Sequence, residues 1–144
     1  MTLPKRILWV DNDIVPGEDP RIKALNMAGF VVEVGVRVME AEEKLRSESF
    51  ALVILDIMIP TLRGEVLDYP QSKTDVGHTT GIVFYERMKS FLDERDIPLV
   101  VFSIVADKVV EDRFLALGLP EDRYLLKADY MDVSKFVEKI TAIV

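Results

Sequence analysis

The sequence predicts a doubly wound α/β domain, a three-layer sandwich in which helices cover both faces of a five-stranded parallel sheet of order 2-1-3-4-5. Three observations predict it. Five short aliphatic runs recur along the 144 residues, and amphipathic helical patterns alternate with them. The runs at 51–55 and 99–102 lack polar alternation, as expected of strands buried on both faces. Strands and helices in alternation, joined by right-handed crossovers, give this architecture.

The first strand is "RILWV" (6–10), with Trp9 as one of its core residues. Asp19 and Pro20 introduce a short helix over 21–28 that Gly29 ends. "FVVEV" (30–34) is the second strand, and Val38, Ala41 and Leu45 mark one face of the second helix. "ALVIL" (51–55) is the third strand; it stops on an acid, Asp56, and Pro60 follows four residues on. Ile82, Tyr85, Met88 and Leu92 share a helical face, "LVVF" (99–102) is the fourth strand, and Val110, Phe114 and Leu117 form the next helical face. Gly118 and Pro120 stop that helix, "YLL" (124–126) is the fifth strand, and Val133, Phe136, Val137 and Ile140 line the last helix. The stretch 61–80, "TLRGEVLDYPQSKTDVGHTT", has no sustained period and reads as a long loop inserted after the third strand. It is too short to bury a core of its own, so residues 1–144 read as a single, stand-alone domain.

The composition narrows the class of function. Hydrophobic residues at 49% and charged ones at 30% suit a globular protein that folds by itself. The apolar runs fall short of the ~20 residues of a membrane span, and "MTLPKRILWVD" leads straight into an acid, so a cytoplasmic protein without membrane attachment is expected. With no cysteine, disulfides and thiolate metal sites are excluded. A net charge of −7 disfavours direct contact with nucleic acid and favours proteins or metal ions as partners.

Chemistry in an open parallel sheet gathers beyond the carboxyl ends of its strands. The first strand delivers Asp11, Asn12 and Asp13 there, the third Asp56, the fourth Ser103 and the fifth Lys127. Clustered carboxylates repel unless a cation joins them, and oxygen ligands from Asp and Asn suit Mg²⁺. A hydroxyl and an ammonium facing the same point can take up the charge of a phosphoryl group. Asp56 is then a nucleophile whose carboxylate attacks phosphorus to form an acyl phosphate.

These residues resemble the receiver domain of two-component response regulators, over essentially the whole chain. "RILWVDND" is similar to that family's first strand and acidic cluster, "ALVILDIMIP" to its phosphoacceptor strand, "IPLVVFS" to the strand ending in a hydroxyl, and "YLLK" to the strand with a switch aromatic and a lysine. The resemblance implies a flavodoxin-like fold, with Asp56 phosphorylated by a histidine kinase or phosphotransfer protein. It implies Mg²⁺ held by Asp11, Asn12, Asp56 and the backbone carbonyl of Met58, with Asp13 as a further ligand. Ser103 and Lys127 would hold the phosphoryl group, and Tyr124 would swing inward with Ser103. A downstream protein, or a second copy in a homodimer, would read the face made by the helix at 110–117, the fifth strand and the last helix. The only catalysis implied is the domain's own phosphorylation and dephosphorylation.

The sequence departs from that pattern at four places. Asn12 brings an oxygen but no charge to the second acidic position, so weaker Mg²⁺ binding is expected, with Asp13 in compensation. Ala128 stands where the family usually has a cis proline; a cis bond to a non-proline costs ~2.5–4 kcal/mol, so a rearranged turn is expected. Ile104 follows Ser103 where a small residue is usual, and its bulk is expected to narrow the entrance and slow phosphoryl turnover. The 61–80 loop is longer than the family's and would serve as a lid or a partner surface. Asn12, Ile104 and Ala128 also fit a second function, a receiver that binds partners constitutively without phosphorylation. A third, a haloacid dehalogenase-like phosphatase, rests on "VDND", with Asp11 as nucleophile and Asp13 as general acid. It leaves Asp56 unexplained and needs an acidic pair after Lys127 that no suitable strand supplies. His78, the only histidine, and Tyr130 are given no role.

Overall fold

The computed structural model describes residues 3–61, 65, 68–75 and 77–144. Its strands are β1 (Lys5–Val10), β2 (Phe30–Gly35), β3 (Leu52–Leu55), β4 (Leu99–Ser103) and β5 (Tyr124–Leu126). All pair in parallel in the order β2-β1-β3-β4-β5, so the predicted topology stands. The helices are α1 (Pro20–Met27), α2 (Val38–Ser47), α3 (Gln71–Thr74), α4 (Thr80–Glu94), α5 (Lys108–Ala116) and α6 (Val133–Ile143). The first helix starts a residue before the 21–28 expected, because Pro20, with its fixed φ, occupies its first position and Asp19 caps it through the Arg21 amide at 2.8 Å. Asp107 and Asp132 cap α5 and α6 in the same way, accepting from Val109 at 2.9 Å and Ser134 at 3.0 Å.

Both faces of the sheet are buried, and the period of two divides the strand residues between two cores. Ile7, Trp9, Ile54, Val100 and Phe102 point to the side covered by α1 and α6, where Leu25, Phe136 and Ile140 meet them. Leu8, Val10, Val53, Leu55 and Val101 point to the side covered by α2, α4 and α5, against Leu45, Phe84, Met88 and Phe114. Trp9 lies fully buried in the first core, as the sequence suggested.

Residues 62–64, 66, 67 and 76 of the 61–80 stretch lie outside the described residues; the rest of it is more ordered than an aperiodic loop. Thr80 already begins α4, and α3 adds one helical turn. Tyr69 is fully buried, and its phenol donates to Glu42 of α2. Arg87 of α4 grips the same carboxylate at 2.8 and 2.9 Å and stacks over the Tyr69 ring at 5.1 Å. Glu65 accepts from the Met39 amide at 2.9 Å, completing an α2 N-terminus at which Arg37 makes no side-chain cap. These contacts fasten the stretch to α2 and α4. A period-based reading misses them because a lone tyrosine and two acids carry the attachment.

Candidate functional site

The strand order brings the carboxyl ends of β1 and β3 side by side, with Val10 opposite Leu55. The Asp56 amide donates to the Val10 carbonyl at 2.9 Å, and the Asp11 amide to Gly35 at 3.1 Å, so both acids begin where the ladder stops. Asp11 is fully buried: its Oδ1 accepts from the Asp13 amide at 2.9 Å and its Oδ2 from Lys127 Nζ at 3.1 Å. Asp56 Oδ1 accepts from the Ile57 amide at 2.8 Å, and its Oδ2 lies 3.6 Å from the same ammonium. Carboxylate oxygens of Asp11, Asp13 and Asp56 fall within 4.8 Å of one another, with Asp13 exposed. Three hard oxygen donors at that spacing fit Mg²⁺, which takes one or two protein carboxylates and keeps several waters.

Burial and the neighbouring Asp11 charge push the Asp56 carboxyl above the usual range, while Lys127, the Ser103 hydroxyl and the Ile57 amide pull it back. The carboxylate is therefore desolvated but not isolated. Lys127 also sits 5.8 Å above the Phe102 ring, a cation–π contact that steadies the ammonium between the two acids.

Comparison with solved structures bears on the frame that holds these groups. A CheY-like response regulator receiver domain protein from Methanospirillum hungatei superposes with a TM-score of 0.71 at 23% identity, covering 96% of this chain and 92% of its own. The chemotaxis response regulator CheY4 of Vibrio cholerae gives 0.68 at 14% identity, over 98% and 99%. The chain has the receiver fold. The response regulator TrrA from Thermotoga maritima, solved in complex with Mg²⁺ and BeF, shares this receiver fold with a TM-score of 0.63 at 20% identity over 97% and 99%. At such identities the likeness concerns the fold. No protein-family model matches the sequence, and no curated protein matches it either.

Within this receiver fold, the remaining residues singled out from the sequence fall as follows. Ser103 is fully buried at the end of β4, its Oγ accepting from the Val105 amide at 3.3 Å. Tyr124 is half-buried at the start of β5, and its hydroxyl donates to the Val105 carbonyl at 2.8 Å. Val105 thus joins the two side chains, a link through backbone that no residue pattern announces. Asn12 is exposed, and the Met58 side chain is 38% exposed. Ile104, the residue after β4, is 71% exposed. After Lys127 the chain makes a single 3₁₀ turn, Lys127–Tyr130, with no cis peptide among the described residues. His78 is exposed, its Nδ1 3.7 Å from an Asp75 carboxylate oxygen.

Sequence reasoning missed Gly81, whose amide donates to the Ile57 carbonyl at 2.9 Å. The signal was there: a glycine at the second position of a helix, where better helix formers are usual. Among the described residues, no helix is long and apolar enough to cross a membrane.

Proposed function

We propose that the chain is a phosphoacceptor signalling switch. The observation that carries this reading is the meeting of Asp11, Asp13 and Asp56 within 4.8 Å, with Lys127 between Asp11 and Asp56. An Asp56 carboxylate oxygen attacks the phosphorus of a phosphohistidine on a histidine kinase or phosphotransfer protein. The P–N bond breaks, an acyl phosphate forms on Asp56, and the departing imidazole takes a proton. Lys127 then follows the new charge from Asp11 toward the phosphoryl group, and Ser103 donates to a phosphoryl oxygen. Asp11, Asn12, Asp13, Asp56 and the Met58 carbonyl would hold Mg²⁺. The bound cation supplies positive charge between carboxylate and phosphoryl group, both anionic.

The Ser103–Val105–Tyr124 linkage gives the switch a readout. A Ser103 hydroxyl turned to a phosphoryl oxygen no longer holds the Val105 amide, and Val105 carries Tyr124 with it. The face of α5, β5 and α6 is the surface for a downstream protein or a second copy. In this reading the domain signals; its only chemistry is on its own Asp56.

The test is acetyl phosphate with Mg²⁺, followed by intact mass. Addition of one phosphoryl group, abolished by Asp56→Asn, supports the switch. No addition, and no spectral change with beryllofluoride, assigns the domain instead to constitutive partner binding, which the neutral, exposed Asn12 favours.

A further inference from the structure

The start of α4 lies against the phosphoacceptor's own backbone. A Cβ built on Gly81 would stand 2.5 Å from the Asp56 carbonyl oxygen, 2.8 Å from Ile57 Cα and 3.3 Å from the Asp56 carbonyl carbon. All three are backbone atoms, so no side-chain rotation relieves the contact. Among the described residues the glycines with positive φ are Gly29, Gly77 and Gly118, and Gly81 is not one of them. Space, not conformation, therefore requires a glycine here. The peptide it touches is the one that orients the acceptor, because the Ile57 amide in that peptide donates to Asp56 Oδ1 at 2.8 Å. The opposite end of the contact is also fixed. Glu42 of α2 is gripped by Arg87 of α4 and by the Tyr69 phenol, which ties α4 to its neighbour two turns after Gly81.

We propose that Gly81 is a positioning residue for phosphoryl transfer: α4, clamped by Tyr69, Glu42 and Arg87, bears on the Asp56–Ile57 peptide through Gly81 and sets where the acceptor carboxylate sits relative to Lys127 and Asp11. This rests on Asp56 being the phosphoacceptor. A side chain at position 81 moves that peptide by a sizeable fraction of an ångström, and a misplacement on the order of 1 Å slows chemistry up to ~100-fold.

The experiment compares the full chain with Gly81→Ala and Gly17→Ala, the latter a control because nothing lies within 4 Å of a Cβ there. Labelling by acetyl phosphate and Mg²⁺ is followed by intact mass across pH, and the Asp56 side-chain carboxyl is titrated by ¹³C NMR in metal-free protein. Gly81→Ala is expected to label about 10–100-fold more slowly while keeping a cooperative melt. The acid limb of its rate profile and its Asp56 titration should both move, and Gly17→Ala should match wild type. Loss of helix packing alone would not move the titration. A folded Gly81→Ala chain with wild-type rate and titration overturns the proposal. If wild type does not label, the phosphoacceptor reading falls, and the NMR titration still decides whether Gly81 places Asp56. Should Gly81→Ala fail to fold, Tyr69→Phe, which loosens the clamp and keeps the ring, must shift the Asp56 titration; an unshifted titration overturns the proposal.

Discussion

Asp56 is held between opposing influences, and its stability signature follows from them. Burial and the Asp11 charge raise its carboxyl above the usual range, and Lys127 with Ser103 only partly offsets this. A carboxyl raised in the folded state favours folding while protonated. That contribution is complete below the unfolded value near 3.8 and lost as pH rises through the folded value. At neutral pH the ionised Asp56 therefore weakens the metal-free fold. Asp56→Asn is expected to raise Tm at pH 7.5 by about 2–4 °C for each kcal/mol recovered, and the gain should vanish below about pH 4. Thermal melts over that range check it, and a lower Tm at pH 7.5 would contradict the assigned sign. Lys127→Met should act in the opposite sense, because it leaves the Asp11 and Asp56 carboxylates without their shared cation. Its Tm at pH 7.5 should fall and its labelling rate drop at least about tenfold, both measured on metal-free and Mg²⁺-loaded protein.

At the scale of elements, β1 and β3 to β5 were legible because two-sided burial leaves a run of aliphatics ending in one polar residue. Asp11, Asp56, Ser103 and Lys127 could be placed at one end of the sheet from that signal alone. The attachment of the 61–80 stretch was not legible, since it depends on Glu42 finding Tyr69 and Arg87, which lie 27 and 45 positions later in the chain. Gly81 was only partly legible: a glycine at a helix start is a signal, but the close approach of α4 to β3 that requires it is a packing fact rather than a periodicity. The Glu42 cluster makes its own prediction. Burial pushes the Glu42 carboxyl up, but hydrogen bonds from Arg87 and Tyr69, with the charges of Arg87 and Arg46, hold it below the ordinary value. A lowered carboxyl contributes stability above its unfolded value near 4.5, and that contribution is lost as pH falls through the folded value. Glu42→Gln should cost about 3–5 kcal/mol at pH 7, the usual loss when one partner of a buried pair is removed. Urea unfolding at pH 7 and pH 3.5 checks this; a deficit that fails to shrink in acid would mean the charge is not what holds α2 to α4.

For the molecule as a whole, the switch reading requires that one small anion at Asp56 be felt across the sheet. Beryllofluoride with Mg²⁺ stands in for the phosphoryl group, and a ligand bound only by the folded state stabilises it by about 2.7 kcal/mol at a hundredfold excess over Kd. For a domain of this size that is a Tm increase of roughly 5–10 °C. The chain carries a net charge of −7, so Mg²⁺ alone also gains from general attraction. The specific part is what disappears in Asp56→Asn at equal Mg²⁺ and ionic strength. Stabilisation by itself could stay local to the acids, whereas signalling demands that it reach α5, β5 and α6 through Ser103, Val105 and Tyr124. Amide NMR shifts should therefore change at Val105, Tyr124 and along α5 as well as at Asp11 and Ile57, and Tyr124→Phe should keep the Tm increase while reducing the shifts in α5. A full Tm increase with α5 unmoved in wild type would leave an anion-binding site with no path to a partner.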